Sequence, residues 1–548
     1  MRENLLKAIE AVGIPLPSCK TYGRIVDCLV DSSKLPLYVV KLHDSKTCRL
    51  TTCLAYDMRP IDGYYYVAYI LDCPFHDTYV VLRTRVTSVT VLDSIGSMLD
   101  SPPCIWCEWE IRDLYGLEYR NHPGRGRLVL PDCWPEGVFP LRKDSPELRL
   151  EVSEALRRGI STKRGPILPI GPYHPALHEP EMFELIVDGE RVVDVKYRGF
   201  FVYRGIEKLA EDRFTYYQVP FLAERICGIC GFVHSITYCR ALEEALHVEV
   251  PEEAKILRTF LLELERIHSH LLLVAVVFHT IGFDTGFMHL MSLREAVMDS
   301  AELITGNRKT YSMAIPGGVR RLVNPDTLRS IASRVEGVVA KAVKLAKAYL
   351  EVNEVRTRLE GVGILSKNDA WSKAALGPTA RASGVGVDVR RNHPYEAYSL
   401  IDFNVVVRDE GDCMARVVVR LEEALESARM LKQLASQATG KGEARTPIPY
   451  TPLRMGMAAS EAPRGEVIHF VVTGYCNRLW RWKVRAPSYN NIALLPLMLR
   501  GVRLADAPVV ISSIDPCFSC TDRLVVIDAH SGRRRIVSFR QAAKGWSP

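Results

Sequence analysis

Two Cys-x-x-Cys pairs, Cys227/Cys230 and Cys517/Cys520, stand more than half the chain apart. A fold that uses both must carry its C-terminal region back onto its middle, in the core, at one point. Four thiolates gathered there make a closed, soft donor set that suits a thiophilic metal and suits magnesium or calcium badly. Cys227 and Cys230 lie at i and i+3, so in a helix or helix entry both sulfurs face one side. Gly228 and Gly231 clear space beside them, and Arg225 is expected to favour thiolate over thiol. Asp515-Pro516 places extended or turned backbone before Cys517, which puts the second pair on a loop. Spacing alone leaves a redox centre and a structural zinc both open, although zinc ribbons keep their pairs roughly 15 to 20 residues apart.

A chain of 548 residues can bury such a centre completely, and its length implies about two to four domains. The net charge of +7 is small for this size and its Lys and Arg are scattered, which argues against a nucleic-acid partner. The first ten residues are interrupted by charges where a signal peptide needs an apolar run, so export is not expected and most of the 15 cysteines are expected to be reduced. The longest apolar run near the middle, Leu271 to Phe278, falls far short of the roughly 20 residues that span a bilayer. Membrane contact is therefore expected to come through partners.

Residues 1–150 read as an independent α+β domain with strands at Tyr64–Leu71 and Tyr79–Val86, closed by Pro- and Gly-rich stretches at 122–144 and 165–172. From about residue 205 the pattern turns helical. Helices are predicted from Pro251 onward and over Leu290–Ile304, Pro325–Asn353 and Cys413–Thr439, followed by a looser stretch that ends in the second cysteine pair. A third pair, Cys104/Cys107, has no second pair nearby and reads as buried structural thiols.

The flanks of the distant pairs carry more information. Arg225-x-Cys-Gly-x-Cys-x-x-x-His234 and Asp515-Pro-Cys-x-x-Cys-x-x-Arg523 resemble the paired signatures of the large subunit of nickel-iron hydrogenases. Glu263-x-Glu-Arg-Ile-His-Ser-His-Leu271, Leu303–Arg308, Arg381-Ala-Ser-Gly384 and Glu461-Ala-Pro-Arg-Gly465 resemble that subunit and its relative, the 49 kDa-type subunit of respiratory complex I. Glu108–Leu117, His122-Pro123 and Pro140–Asp144 resemble the 30 kDa-type subunit. The fusion is most similar to the catalytic subunit of membrane-associated, formate hydrogenlyase-type (group 4) hydrogenases. The implied fold is multidomain: a complex I 30 kDa-like α+β domain (1–150), a mainly α-helical hydrogenase large-subunit/49 kDa-like domain (151–523), and a C-terminal extension (524–548) removed after Arg523 by a maturation endopeptidase.

That resemblance implies interconversion of H2 with protons and electrons at a buried Ni-Fe centre. Cys227 and Cys517 become terminal nickel ligands, and Cys230 and Cys520 bridge to an iron bearing carbon monoxide and cyanide. Cys517 takes a proton, Arg464 stands above the nickel with Asp515 as its carboxylate neighbour, and Glu179 leads protons away with His174 and His178 extending the relay. His234 is read as a hydrogen-bond donor near a cysteine sulfur. Ser269 stands where some hydrogenases carry an aspartate. Electrons are expected to leave to 4Fe-4S clusters in an iron-sulfur small subunit and ferredoxin-like subunits. The implied assembly adds complex I-like membrane subunits, places the chain on the cytoplasmic face of the membrane, and takes formate dehydrogenase or ferredoxin as electron partner. The competing readings are a complex I-like NADH/quinone oxidoreductase-type subunit without hydrogenase activity and a zinc-stapled scaffold.

Overall fold

The computed structural model describes residues 2–131, 134–146, 167–170, 179, 181–200, 204–518, 526–527 and 534–535. The boundary expected near 150, His174, His178, Cys520 and Arg523 lie outside the described residues.

The N-terminal part is built on a five-stranded sheet, β1 (Cys19–Tyr22), β2 (Ile25–Leu29), β3 (Arg49–Asp57), β4 (Tyr65–Cys73) and β5 (Thr78–Val86), in the order β1-β2-β5-β4-β3. Only β2 and β5 pair in parallel. Helices α1 (Arg2–Val12), α2 (Leu35–Asp44) and α3 (Pro102–Tyr115) complete this part. Every residue of β3 and β4 is buried, because the two faces of the sheet serve two cores. Cys53, Ala55, Tyr65, Val67, Tyr69, Val80 and Leu82 pack into the domain's own core. Their alternates, Leu54, Tyr56, Tyr66, Ala68, Ile70, Tyr79 and Val81, pack into the core of the second domain. The period-2 alternation of a strand thus divides one sheet between two hydrophobic cores. The N-terminal part thus has a core of its own and shares its sheet with the second, so removing its neighbour would bare a whole apolar sheet face.

Two disulfides, Cys19–Cys28 and Cys48–Cys73, are exceptions to the expectation that most cysteines are reduced; nine others among the described residues are free. Antiparallel pairing creates both. Cys19 and Cys28 are register partners across β1 and β2, and Cys48 and Cys73 flank the Arg49–Asp72 pair at the end of β3 and β4. Cys104 and Cys107 on α3 are buried and free, as expected. They do have a thiol partner, Cys53 on β3, which hydrogen-bonds to both.

A second sheet, β6 (Ile167–Ile170), β7 (Met182–Asp188) and β8 (Arg191–Arg198), is an antiparallel meander. The helical core follows: α4 (Gly231–Leu246), α5 (Glu252–Ile281), α6 (Asp284–Thr305), α7 (Pro325–Leu350) and α8 (Cys413–Gln437). Helix α5 opens after Pro251 and stops at Gly282, whose φ of 91° a side chain would oppose. It is buried for most of its length, with α6 and α8 packed along it. The helix predicted over Pro325–Asn353 ends at Leu350, and a separate short helix covers Asn353–Leu359.

The stretch expected to be loose holds a third sheet, β9 (Met455–Ala462), β10 (Gly465–Thr473) and β11 (Leu479–Arg485). All nine residues of β10 are buried, so the strand shows no apolar–polar alternation to reveal it. Helix α9 (Ala507–Ser513) then leads to Cys517.

Polar contacts tie the domains together. Arg49 donates to Asp72 at 3.0 Å and to the Ala375 carbonyl at 3.1 Å. The Tyr79 hydroxyl donates to Glu466 at 2.6 Å, and Trp480 Nε1 donates to the Asp57 carbonyl at 2.8 Å. His393 bridges Asp72 (2.7 Å) and Asp77 (3.2 Å). Burial opposes its charge, but those two carboxylates raise its pKa to about 9. A group raised in the folded state stabilises fully below its unfolded pKa and loses that contribution as pH climbs through the folded one. Stability is therefore expected to fall between about pH 6.5 and 9, by up to about 3 kcal/mol. Chemical denaturation across that range should show a shallower slope in His393→Gln.

Candidate metal centre

Cys227 and Cys230 occupy the turn entering α4, and Cys230 is the residue before its first turn. Both are buried, as is Cys517. Cys227 Sγ lies 3.2 Å from Cys230 Sγ and 3.2 Å from Cys517 Sγ, so the two distant segments do meet. Backbone N–H groups of Ile229 (3.4 Å) and Cys230 (3.3 Å) point at Cys227 Sγ. The Tyr311 hydroxyl donates to the Cys227 carbonyl at 2.7 Å, and Ser488 Oγ accepts from Cys517 N at 3.1 Å. Gly231 is needed for close approach: a Cβ there would stand 2.4 Å from the Glu224 carbonyl and 2.6 Å from the Tyr311 ring. A Cβ at Gly228 would meet open space.

The cation brought to the sulfurs is Arg464. Arg225, expected in that role, is 56 % exposed and pairs with Glu224. Arg464 sits in the tight turn between β9 and β10, where Gly465 takes a φ of 125° against Leu376 and Gly377. All three guanidinium nitrogens make contacts. Nε donates to the Asp515 carbonyl and Nη2 to Asp515 Oδ1, both at 2.7 Å, while Nη1 reaches Cys230 Sγ at 3.4 Å and Ser269 Oγ at 3.5 Å. Asp515 adopts φ 57°, a left-handed conformation rare outside glycine, which turns its carbonyl and carboxylate toward the same guanidinium. Burial pushes the Asp515 carboxyl up, with Arg464 and Arg420 pulling it down. The hydrogen bond to Cys227, then burial, pushes the Cys230 thiol up against Arg464.

Of the other sequence-predicted residues, His234 is fully buried on α4 and its Nδ1 lies 3.1 Å from His469 Nε2 on β10. Glu179 is half-buried. Ser269, which brings no carboxylate to the site, faces Arg464.

Glu265 lies within the Glu263–Leu271 motif, whose pattern assigns it no role. Its carboxylate accepts the N–H groups of Phe232 (2.8 Å) and Val233 (3.0 Å) at the start of α4. Burial lifts its pKa to about 8 despite those bonds. Sequence spacing carries a trace of this, since Glu265 and Ser269 are one helical turn apart on α5.

Behind Arg464 lies a buried lattice of charge. Arg381 pairs with Glu423 (2.7 Å) and Glu461 (2.8 Å), and Arg390 with Glu263 (3.1 Å) and Asp388 (2.7 Å), while His270, its pKa lowered to about 4 by burial and so neutral, donates a hydrogen bond to Glu423 (2.9 Å). Removing one member of such a set leaves an uncompensated buried charge. Arg381→Met is expected to cost about 3–5 kcal/mol, read as a lowered denaturation midpoint.

Sulfurs bound to one ion at about 2.3 Å stand roughly 3.2–3.8 Å apart for angles between right and tetrahedral. The 3.2 Å separations around Cys227 fit that requirement. Among the described residues no group of three or more His, Cys, Asp or Glu side chains is placed to hold a metal ion, and the fourth sulfur, Cys520, lies outside them. Three buried sulfurs meet here and Arg464 reaches one of them, a donor set whose chemistry suits a soft metal ion.

Fold and site together define a multidomain protein that buries cysteines from two distant segments side by side. Family models for the 30 kd and 49 kd subunits of respiratory-chain NADH dehydrogenase match residues 28–149 and residues 280–452 and 446–523, and one for nickel-dependent hydrogenase matches 204–352. The chain is 37% identical over 516 residues to formate hydrogenlyase subunit 5 of Escherichia coli (strain K12), covering 92% of this chain and 90% of that one. It is 36% identical over 524 residues to hydrogenase-4 component G of the same organism, covering 94% and 91%. A solved structure of the membrane-bound sulfane sulfur reductase, an archaeal respiratory membrane complex, superposes with a TM-score of 0.62 at 33% identity, covering 66% of this chain and 99% of that one. The chain belongs to the formate hydrogenlyase-type family of nickel-iron hydrogenase large subunits. It is an oxidoreductase acting on H2, and the family implies a nickel-iron centre.

Proposed function

We propose that Cys227, Cys230, Cys517 and Cys520 hold the nickel-iron centre, with Cys227 and Cys517 terminal on nickel and Cys230 and Cys520 bridging to an iron that carries carbon monoxide and cyanide. The observation that supports this most is the meeting of three buried sulfurs from opposite ends of the domain under one guanidinium. When bound, the centre supplies a soft, redox-active Lewis acid at which H2 is split heterolytically. The chain's own residues handle the proton. Cys517 Sγ receives it, Arg464 holds its guanidinium over the sulfurs, and Asp515 fixes that guanidinium by two acceptors on one residue. Glu179 takes protons outward, with His174 and His178 as further relay groups.

Within this reading the domains are 1–150, 151–523 and a tail, 524–548, cleaved after Arg523 by a maturation endopeptidase once metal is in place. No described helix is long and apolar enough to cross a membrane, and the solved structural relative is part of a respiratory membrane complex. The chain is accordingly a subunit of a membrane-bound complex. It docks an iron-sulfur small subunit that accepts the electrons in 4Fe-4S clusters, with ferredoxin-like and complex I-like membrane subunits beyond it, on the cytoplasmic face. Formate dehydrogenase or ferredoxin is the electron partner.

Metal analysis and infrared spectroscopy of the purified complex test the centre. One nickel per chain, with cyanide and carbonyl infrared bands from the iron, is expected. A preparation that contains zinc alone, or no metal with intact electron transfer to quinone or sulfur compounds, would overturn the assignment.

A further inference from the structure

We propose that Trp482 and His469 act as positioning residues that lock the tautomer of His234, so that it presents an Nε2–H donor to the thiolate centre. The proposal rests on the reading of that centre given above. Neither Trp482 nor His469 belongs to the cysteine motifs or to the Arg464–Asp515 pair.

The three rings form a hydrogen-bonded row inside the protein, from β11 through β10 to α4, and all three are fully buried. Trp482 Nε1 lies 3.2 Å from His469 Nδ1, and His469 Nε2 lies 3.1 Å from His234 Nδ1. An indole nitrogen can only donate. His469 Nδ1 therefore carries a lone pair, and the single proton of that ring is on Nε2. That proton points at His234 Nδ1, which must accept it. The proton of His234 is then on Nε2.

The opposite polarity fails on chemical grounds. If His234 donated from Nδ1, His469 would have to accept at both nitrogens and would be an imidazolate. The same count excludes a doubly protonated His234. Burial agrees with neutral rings, since it lowers His234 to about 4 and His469 well below the ordinary range.

The direction of the row decides what reaches the metal site. His234 Nε2 is buried and has no hydrogen-bond partner among the described residues. A buried N–H left unpaired is costly, so a fold that forces this tautomer calls for an acceptor there. The ring interacts electrostatically with Cys227 and Arg464, both members of the proposed centre. The acceptor chemistry that fits is a metal-bound thiolate sulfur, which an N–H donor stabilises as an anion. With its proton fixed on Nε2, His234 neither ligates the metal through that nitrogen nor serves as a base for the reaction. Its part is to hold electron density on sulfur.

The test is long-range proton–nitrogen NMR on the full chain labelled with nitrogen-15 histidine, without nickel and with it, His234→Asn identifying the signal. The wild type is expected to show the Nε2–H form at both His234 and His469. In Trp482→Phe the donor is gone, and His234 is expected to show two exchanging tautomers; in the nickel-loaded complex the iron ligand infrared bands should shift or double. His469→Leu should release the lock in the same way. His469→Gln should preserve it, because a carboxamide oxygen accepts from the indole while its NH2 donates to His234. The Gln/Leu pair decides the matter if Trp482→Phe does not fold. An Nδ1–H form at His234 in the wild type, or an unchanged single tautomer in both Trp482→Phe and His469→Leu, would overturn the proposal. Because the tautomer is readable without nickel, its failure is distinct from failure of the metal assignment.

Discussion

Cys517→Ser is expected to abolish H2 turnover and to weaken nickel binding by at least roughly 100-fold, a loss that even altered neighbours of metal ligands can reach. A serine hydroxyl keeps its proton where a thiol gives it up to a metal, and its oxygen is a hard donor in a site built for a soft ion. The substitution is nearly isosteric. Cys517 N already bonds Ser488 Oγ, a backbone contact that the serine variant keeps, so the fold should survive with a melting temperature within a few degrees of the parent. Nickel content measured beside thermal denaturation separates the two effects. Retained nickel with full turnover would remove Cys517 from the centre, and an equal loss of zinc would support a structural site.

Arg464→Lys should lower turnover by about 10²–10³, the cost of removing one preorganised donor from an active site, while leaving nickel bound. The guanidinium meets Asp515 with two nitrogens and Cys230 and Ser269 with the third. A lysine ammonium is one point of charge on a flexible stem and cannot occupy three directions at once. It keeps the positive charge, so Asp515 remains paired and the damage to stability should be small. Activity within about tenfold of the parent would show that the charge of Arg464 matters and its fork does not. The measurement is H2 oxidation with an artificial acceptor, normalised to nickel.

Much of the site was legible before any coordinates. Cys227, Cys230, Cys517, Arg464 and Asp515 sit in short motifs whose flanks are distinctive, and the structure brings them together. The long helices were legible for a different reason: apolar residues at helical spacing over α5 leave a strong period, and Pro251 and Gly282 mark its ends. What could not be read has no local signature. β10 is buried on both sides and shows no alternation. Arg225 sits closest to the cysteines in sequence, yet Arg464 is the cation that touches one, because the β9–β10 turn is folded back over α4. Cys19 and Cys28 became a disulfide through strand register.

The sequence by itself determined the chemical class of this protein, because a metal site needs particular atoms and the motifs name the residues that supply them. Only the tertiary structure decided the direction and electrostatics of the site. It set which cation caps the sulfurs, why one sheet serves two cores, and which nitrogen of His234 holds a proton. Those properties depend on donors and acceptors brought together from segments hundreds of residues apart, and chain order carries no record of which end of a hydrogen bond donates.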